Sequence, residues 1–175
     1  TVINALLQKD ANVQNAIEDG TSAFHLCAAS ASGDTLARMI KAGAEINATN
    51  TYGQTPLMFA ANAGNVNNLT LLLDAGADIN QQTQEGYSAL FFAIKSLHLD
   101  AVKAAIARGA DVLHRAQDGT TASQLAVYTS NFEFLTWFAK TMPSLLAKEA
   151  INTQLTAYDR DGYQLLHQAV KANKP

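Results

Sequence analysis

The sequence is poor in cysteine, proline and basic residues, and each scarcity excludes a class of protein. Its 175 residues include a single cysteine, Cys27, so no disulfide can form within the chain, as is usual in a reducing compartment. Twelve Lys and Arg stand against fifteen Asp and Glu, without a basic cluster, so a nucleic-acid surface is not expected. No apolar run reaches the length of a membrane span, and residues 1–18 lack the pattern of a signal peptide. We therefore expect a cytoplasmic protein without membrane insertion.

What the chain does contain is an internal repeat. Four short phrases that open with a hydroxyl residue start at Ser22, Thr55, Ser88 and Thr121, so successive starts lie 33 residues apart. A fifth phrase starts at Gln164, which is 43 residues after the fourth and implies an insertion between them. The repeat, and no single motif, therefore organises the chain.

Each repeat carries the signals of two helices. The opening hydroxyl residue can cap a helix N-terminus, and Pro56 follows at a first helical position, where its missing N–H costs nothing. A second helix shows apolar residues at helical spacing, such as Leu69, Leu72 and Leu73. Glycine can end that helix because it adopts the left-handed conformation without a Cβ penalty. The glycines at this position are Gly43, Gly76 and Gly109. The pattern predicts an all-α fold of stacked helix pairs.

The repeat length and the phrases GQTPLMFAANAGN and DAGADIN resemble the ankyrin repeat family. The resemblance covers nearly the whole chain and implies an ankyrin-repeat solenoid of stacked helix-turn-helix units with hairpin-like turns, forming a single domain over 1–175. The predicted repeats are 19–51, 52–84, 85–117 and 118–158, the last with an insertion around 141–158. Residues 1–18 are interpreted as the end of a preceding repeat and 159–175 as the start of a further one, as in a fragment of a larger protein.

The residues that carry chemistry in other proteins have structural interpretations here, so we expect no catalytic residue, cofactor or metal. His25 and His167 occupy the histidine position of the opening phrase, and the resemblance implies that this side chain bonds backbone between neighbouring repeats. Cys27 lies two residues from His25 on one predicted helix, so the two side chains point in different directions and do not form a nucleophile with its base. His98 and His114 have no Cys or His at a metal-ligand spacing.

The turn tips and the outward side of each first helix form a face, here called the first-helix face. The resemblance implies that this face is concave and binds partner proteins. Four of the five tyrosines are predicted to lie on it, namely Tyr52, Tyr87, Tyr128 and Tyr163. Tyrosine offers a large contact area at little cost in rotamer entropy, so a protein-binding surface is predicted; the alternative is that these tyrosines pack on the adjacent hairpin. The other predicted partner-binding residues are Gln54, Asn62, Gln84, Glu85, Lys95, Arg115 and Asp118.

The predicted function is therefore that of a protein–protein interaction module, which binds a partner protein or peptide on the first-helix face. An alternative is a targeting or regulatory domain of a larger enzyme, or of a secreted bacterial effector that acts on host proteins in the host cytosol. A third interpretation is a passive spacer.

The resemblance also implies a covalent modification. Ankyrin repeats are substrates of a cytosolic asparaginyl hydroxylase that recognises Leu, five residues, an acid, an aliphatic residue and Asn. The stretch from Leu72 to Asn80 matches throughout, and the stretch from Met39 to Asn47 matches with Met in place of Leu. Asn80 and Asn47 are therefore candidate hydroxylation sites. The alternative is that both asparagines hold their turns by local hydrogen bonds.

Overall fold

The computed structural model describes residues 16–128, 134, 136–138, 140 and 141. Three helix pairs follow one another along the chain. The first pair is α1 (Ala23–Ser30) with α2 (Gly33–Lys41), the second is α3 (Pro56–Asn62) with α4 (Val66–Asp74), and the third is α5 (Ala89–Lys95) with α6 (Leu99–Ala107). A further helix, α7, covers Ala122–Tyr128. The predicted all-α repeat architecture is confirmed.

Each first helix begins where the opening phrase predicts. Ser22, Thr55 and Ser88 are the N-caps of α1, α3 and α5. The Thr55 hydroxyl accepts a hydrogen bond from the Met58 N–H at 3.3 Å, which satisfies one of the free donors of the first turn. Two of the second helices are capped as well: the Ser32 side chain accepts from the Thr35 N–H in α2, and the Asn65 side chain accepts from the Asn68 N–H in α4.

Glycine ends each second helix for a conformational reason. Gly43, Gly76 and Gly109 have φ of +85°, +93° and +88°, in the left-handed region. A Cβ at any of the three would meet no atom within 4 Å, so backbone conformation and not lack of space favours glycine. Gly53, in a turn tip, differs because a Cβ there would lie 3.1 Å from the Cα of Thr83. At that point the neighbouring hairpins approach closely.

The helices of residues 16–110 form two layers. The first helices α1, α3 and α5 pack side by side, and the second helices α2, α4 and α6 pack behind them. Alanines such as Ala28, Ala60 and Ala93 are fully buried between first helices, where small side chains allow close approach. Leu36 and Leu69, on the second helices, are fully buried as well. Each buried leucine stabilises the fold by about 2 kcal/mol relative to an exposed one.

The extended turns hydrogen-bond to one another through their backbones. The N–H of Thr51 donates to the carbonyl of Asp19 at 2.8 Å, and the N–H of Gln84 donates to the carbonyl of Tyr52 at 3.3 Å. Successive turn tips are therefore held side by side, which places their side chains in a row beside the first-helix layer.

The chain divides after Ala110 into two compact units. The first unit contains the three helix pairs. The second contains α7 and helical residues that include Phe134 and Phe138, whose rings stack with centroids 5.8 Å apart. The predictions for residues 1–15, for most of the insertion and for the further repeat from 159 lie outside the described residues. No helix in the described part of the chain is long and apolar enough to cross a membrane.

Candidate functional site

The turn tips of the first unit present exposed polar and aromatic side chains. Tyr52 is 54% exposed, and Gln84 and Glu85 are exposed as well. The Gln84 side-chain amide donates to the carbonyl of Thr51 at 2.9 Å, and the Glu85 carboxylate accepts from the Thr83 hydroxyl at 3.1 Å. The predicted tip residues are therefore accessible, and two of them are held in place by hydrogen bonds.

The four predicted tyrosines do not share one environment. Tyr87 is half-buried and stacks on Phe91, with ring centroids 5.6 Å apart and an interplanar angle of 30°. Tyr52 lies open to solvent in the same unit. Tyr128, at the end of α7 in the second unit, is 78% exposed, and Tyr163 lies outside the described residues. Tyr87 thus packs against its own repeat, as the alternative interpretation of the tyrosines expects, whereas Tyr52 does not.

The remaining predicted partner-binding residues fall into two groups. In the first unit, Asn62 and Lys95 are exposed at the ends of α3 and α5, and the Asn62 Oδ1 accepts from the Ser96 hydroxyl at 2.7 Å. In the second unit, Asp118 is exposed and accepts from the Thr120 N–H at 2.8 Å, while Arg115 is half-buried and pairs with Thr121 in an isolated β-bridge.

A groove of about 330 Å³ opens on the first-helix face. It is lined by Gln54, Met58, Phe59, Asn62 and Phe92. Gln54 and Asn62 were predicted to contact a partner, whereas the three apolar residues were not. The groove therefore brings two predicted residues together with an apolar surface that sequence analysis missed.

A sequence signal for that surface exists. The residue after each four-letter opening phrase is large and apolar in all four repeats, as Leu26, Phe59, Phe92 and Leu125. Leu26 is 50% exposed, and Phe59 and Phe92 are half-buried. An apolar residue that recurs at the repeat length and yet stays accessible indicates a surface stripe along the first helices.

His25 serves as a buried tie between helix pairs. Its Nδ1 accepts from the Ser22 N–H at 3.2 Å, and because a backbone N–H can only donate, the ring proton must sit on Nε2. Nε2 donates towards the carbonyls of Ala48 and Gln54, at 3.2 and 3.1 Å. Burial lowers the pKa of His25 from its ordinary value, although the two carbonyls raise it in part. The neutral ring thus joins the first pair to the turn before the second.

Cys27 has the properties of a structural residue. Its side chain is 3% exposed, and burial raises the pKa of its thiol, which disfavours the reactive thiolate. Among the described residues, no group of three or more His, Cys, Asp or Glu side chains could hold a metal ion.

Asn47 and Asn80 tie neighbouring turns together. The Asn47 Oδ1 accepts from the Asp78 N–H at 3.0 Å, and its Nδ2 lies 3.5 Å from the Gly76 carbonyl. The Asn80 Nδ2 donates to the Gly109 carbonyl at 3.2 Å. These contacts span about one repeat, so the interpretation of local turn bonds is corrected to bonds between repeats. Both asparagines are exposed.

A second inter-repeat tie was absent from the sequence predictions. Asn68 lies on α4 and is fully buried. Its Nδ2 lies 3.3, 3.1 and 2.9 Å from the carbonyl oxygens of Cys27, Ala28 and Ala31, at the C-terminal end of α1. The Cys27 carbonyl also accepts from the Ala31 N–H at 2.9 Å, whereas the Ala28 and Ala31 carbonyls lie past the last intrahelical donor, so the amide satisfies acceptors that the helix itself leaves open.

The family model for ankyrin repeats, described as three copies, matches residues 1–83 and 75–145. The two matched ranges together cover most of the chain and all of its described residues. Repeats of this kind are generally protein–protein interaction modules and are generally non-catalytic. A search of curated proteins found no match to this chain.

Proposed function

The chain belongs to the ankyrin repeat family, and we propose that it binds a partner protein or peptide through its first-helix face. The observation that carries the proposal is the accessible apolar and aromatic surface of that face, formed by Tyr52, Phe59 and Phe92. Soluble domains keep such side chains accessible at binding surfaces, where a partner removes them from water.

Tyr52 provides the sharpest test, because it is exposed and its substitution leaves the packing of the repeat intact. The chain is used to capture partners by photo-crosslinking, and each captured protein is identified by mass spectrometry. Tyr52→Ala is expected to lose the partner while the melting temperature stays the same. The matched control is Lys103→Ala, which removes an exposed side chain on α6, in the layer behind the first helices.

A partner that is captured equally by wild type and by Tyr52→Ala would contradict the proposal. Equal loss with Lys103→Ala would also contradict it, because binding would then not depend on the first-helix face.

We further propose that Asn80, and secondarily Asn47, are substrates of an asparaginyl hydroxylase. Both side chains are exposed and lie in turns, where an enzyme can reach them. The sequence from Leu72 to Asn80 carries the full recognition pattern, whereas Asn47 is preceded by Met39 in the leucine position. The Asn80 bond to the Gly109 carbonyl restrains the side chain, so hydroxylation is expected to be faster in partly unfolded chain, where this restraint is absent.

The test is mass spectrometry of peptides after incubation with the hydroxylase, molecular oxygen and a 2-oxo acid. One added oxygen on the peptide containing Asn80 is expected, and a smaller extent on that containing Asn47. Leu72 is buried, so Leu72→Met serves as the matched variant and should reduce the extent towards that of Asn47. Unmodified Asn80 after exhaustive incubation would reject this proposal.

A further inference from the structure

The groove between α3 and α5 has an apolar floor and two polar ends. Met58, Phe59 and Phe92 form the floor, while Gln54 precedes the N-cap of α3 and Asn62 is its last residue. Its volume of about 330 Å³ lies at the lower end of the range of about 300–1,000 Å³ for ligand pockets. The space suits one or two inserted side chains and is too small for a folded element.

The Gln54 amide at one end of the groove is held through its oxygen. The Oδ1 of Asn50 accepts from the N–H groups of Tyr52 and Gln54, at 3.1 and 2.9 Å, and this fixes the orientation of the Asn50 amide. The Asn50 Nδ2 therefore donates to the Gln54 Oε1, at 3.0 Å. The Gln54 oxygen is thus occupied, and the Gln54 Nε2 has no acceptor among residues 16–128.

The amide at the other end bonds a hydroxyl group. The Asn62 Oδ1 accepts from the Ser96 hydroxyl at 2.7 Å, a bond that joins the C-terminal ends of α3 and α5. The Asn62 Nδ2 finds no acceptor in the described part of the chain. Both ends of the apolar floor therefore offer an NH₂ group to an incoming acceptor.

The spacing of these two donors suits an extended chain. From Pro56 to Asn62 the helix rises about 9 Å at about 1.5 Å per residue, and the two residues from Gln54 to Pro56 precede it and add at most about 3.3 Å each, so the two donors lie roughly 10–15 Å apart. An extended peptide rises about 3.3 Å per residue, so about four residues of it cover the same distance. Its main-chain carbonyl oxygens are acceptors at that spacing, whatever the peptide sequence.

The charge on the turn tips indicates the charge of the peptide. The tips of the first unit carry Glu18, Asp19 and Glu85 and no lysine or arginine. The one charged residue on the exposed ends of α1, α3 and α5 is Lys95, at the end of the groove remote from the tips. The rim near the hairpins is therefore acidic and favours basic side chains, with an attraction that salt screens.

We propose that this groove binds an extended basic peptide segment that inserts one aromatic or large aliphatic side chain between Phe59 and Phe92. The amides of Gln54 and Asn62 donate to peptide carbonyls about four residues apart. Lysine or arginine residues of the segment face the acidic turn tips. This inference rests on the proposed function and names the partner chemistry, which is an unfolded segment of a protein with one apolar anchor.

The probes are two capped synthetic octapeptides built of glycine and serine, each with a central phenylalanine and two arginines. In one peptide the arginines precede the phenylalanine, and in the other they follow it. Binding is followed by NMR through the side-chain NH₂ signals of Gln54 and Asn62. At least one of the two peptides is expected to shift both signals. Replacing its phenylalanine by alanine, or its arginines by glutamates, is expected to weaken binding at least tenfold.

Two variants measure separately how much the NH₂ donor and the apolar floor contribute to peptide binding. Asn62→Asp keeps an acceptor for Ser96 and the shape of the side chain but lacks the NH₂ donor, and a weakening of at least fivefold is expected despite its added negative charge. Phe92→Ala is expected to weaken binding at least tenfold, with thermal melting to verify that the variant is folded. Lys103→Ala should bind as wild type does.

Two results would overturn the inference. One is the absence of any shift at Gln54 and Asn62 with either phenylalanine peptide, and the other is undiminished binding by Asn62→Asp and Phe92→Ala. If either result is obtained while capture of a partner protein still depends on Tyr52, peptide binding in the groove is rejected and the proposed function is retained. If capture of the partner protein did not depend on Tyr52, the proposed function itself would be rejected.

Discussion

Two junctions in the first unit connect helix pairs of the same architecture by different chemistry. The junction between the first and second pairs contains two buried polar ties, His25 and Asn68. One repeat later, the same positions of the junction between the second and third pairs hold Met58 and Ala101. Both replacements are apolar and almost completely buried.

The difference shows in what each side chain contacts. His25 donates to a carbonyl in the turn before the next pair, and Asn68 reaches the carbonyls that end α1. The Met58 Sδ instead accepts from the Thr55 N–H at 3.4 Å, within its own repeat. At these two buried positions the second junction therefore depends on packing, with Ala101 allowing the helices to approach closely, while its hydrogen bonds, such as that from Ser96 to Asn62, lie at the exposed ends.

The repeat register thus determines which positions contact the neighbouring helix pair, while the residue at each position determines how much stability is lost when it is substituted. Removing one partner of a buried polar pair leaves the other unsatisfied, whereas trimming an apolar contact costs in proportion to the cavity it leaves. The first junction should therefore respond to single substitutions, and to pH, in ways that the second does not.

The largest effect is expected for Asn68→Ala. The carbonyls of Cys27, Ala28 and Ala31 lose the amide, and a destabilisation of about 2–3 kcal/mol is expected. The buried Asn68 Oδ1 has no partner in the described part of the chain, and its removal offsets part of the loss. Urea denaturation followed by circular dichroism measures the change.

Asn67 is the matched control for Asn68, since it is the preceding residue on α4 and is exposed. Asn67→Ala is expected to change the free energy of unfolding by less than about 0.5 kcal/mol. Equal effects of the two substitutions would show that Asn68 does not tie the first junction together.

The second junction should be sensitive at a steric contact. Gly64 has φ of +67°, and a Cβ there would lie 2.5 Å from the His98 ring at the start of α6. Gly64→Ala is therefore expected to destabilise the chain by about 2 kcal/mol, from backbone strain and from displacement of the ring. In the His98→Ala background the same substitution should cost only the backbone part, about 1 kcal/mol. An undiminished cost in that background would assign the whole effect to the backbone.

His25 should give the first junction a pH dependence. Its pKa is lowered in the folded state by burial, so the unfolded chain binds more protons at mildly acidic pH. Its contribution to stability is complete above the ordinary histidine pKa of about 6.5 and is lost as pH falls through that value towards the folded pKa. The urea midpoint of the wild type is expected to be lower at about pH 5 than at about pH 7.5.

His25→Met is the matched variant, because it gives the first junction the residue of the second. A cost of about 1 kcal/mol is expected at neutral pH, where the hydrogen bonds to backbone are lost. The fall in midpoint towards acidic pH should be smaller than in the wild type. A fall of unchanged size would attribute the pH dependence to other groups.

The architecture could be predicted from sequence because its signals are local. The cap at Thr55, the helix end at Gly76 and the apolar spacing of Leu69 and Leu72 each depend on a few neighbouring residues. Once the 33-residue register was set, the positions on the first-helix face followed from it.

The ties and the groove could not be predicted in the same way, because they join residues far apart in sequence. Asn68 bonds carbonyls 37 to 41 residues earlier, and nothing adjacent to it marks that role. Tyr87 takes the turn position that Gln54 holds one repeat before, yet Phe91 covers its ring. Phe59 and Phe92 carried a repeat-length signal, but an apolar residue on a helix is ordinarily assigned to the core.

The smallest effect is expected at Leu97, where the third helix pair departs from the second. Leu97 has φ of +62° and is 41% exposed, in the turn where Gly64 stands one repeat earlier. A leucine in the left-handed region costs about 1–2 kcal/mol, and the greater freedom of glycine in the unfolded chain offsets about 0.5–1 kcal/mol of any gain. Leu97→Gly is therefore expected to stabilise the chain by about 0.5 kcal/mol, measured as a higher urea midpoint. Leu97→Ala retains the Cβ and should change the midpoint little. An equal gain with alanine and with glycine would show that this turn is stabilised by removal of the exposed side chain and not by relief of backbone strain.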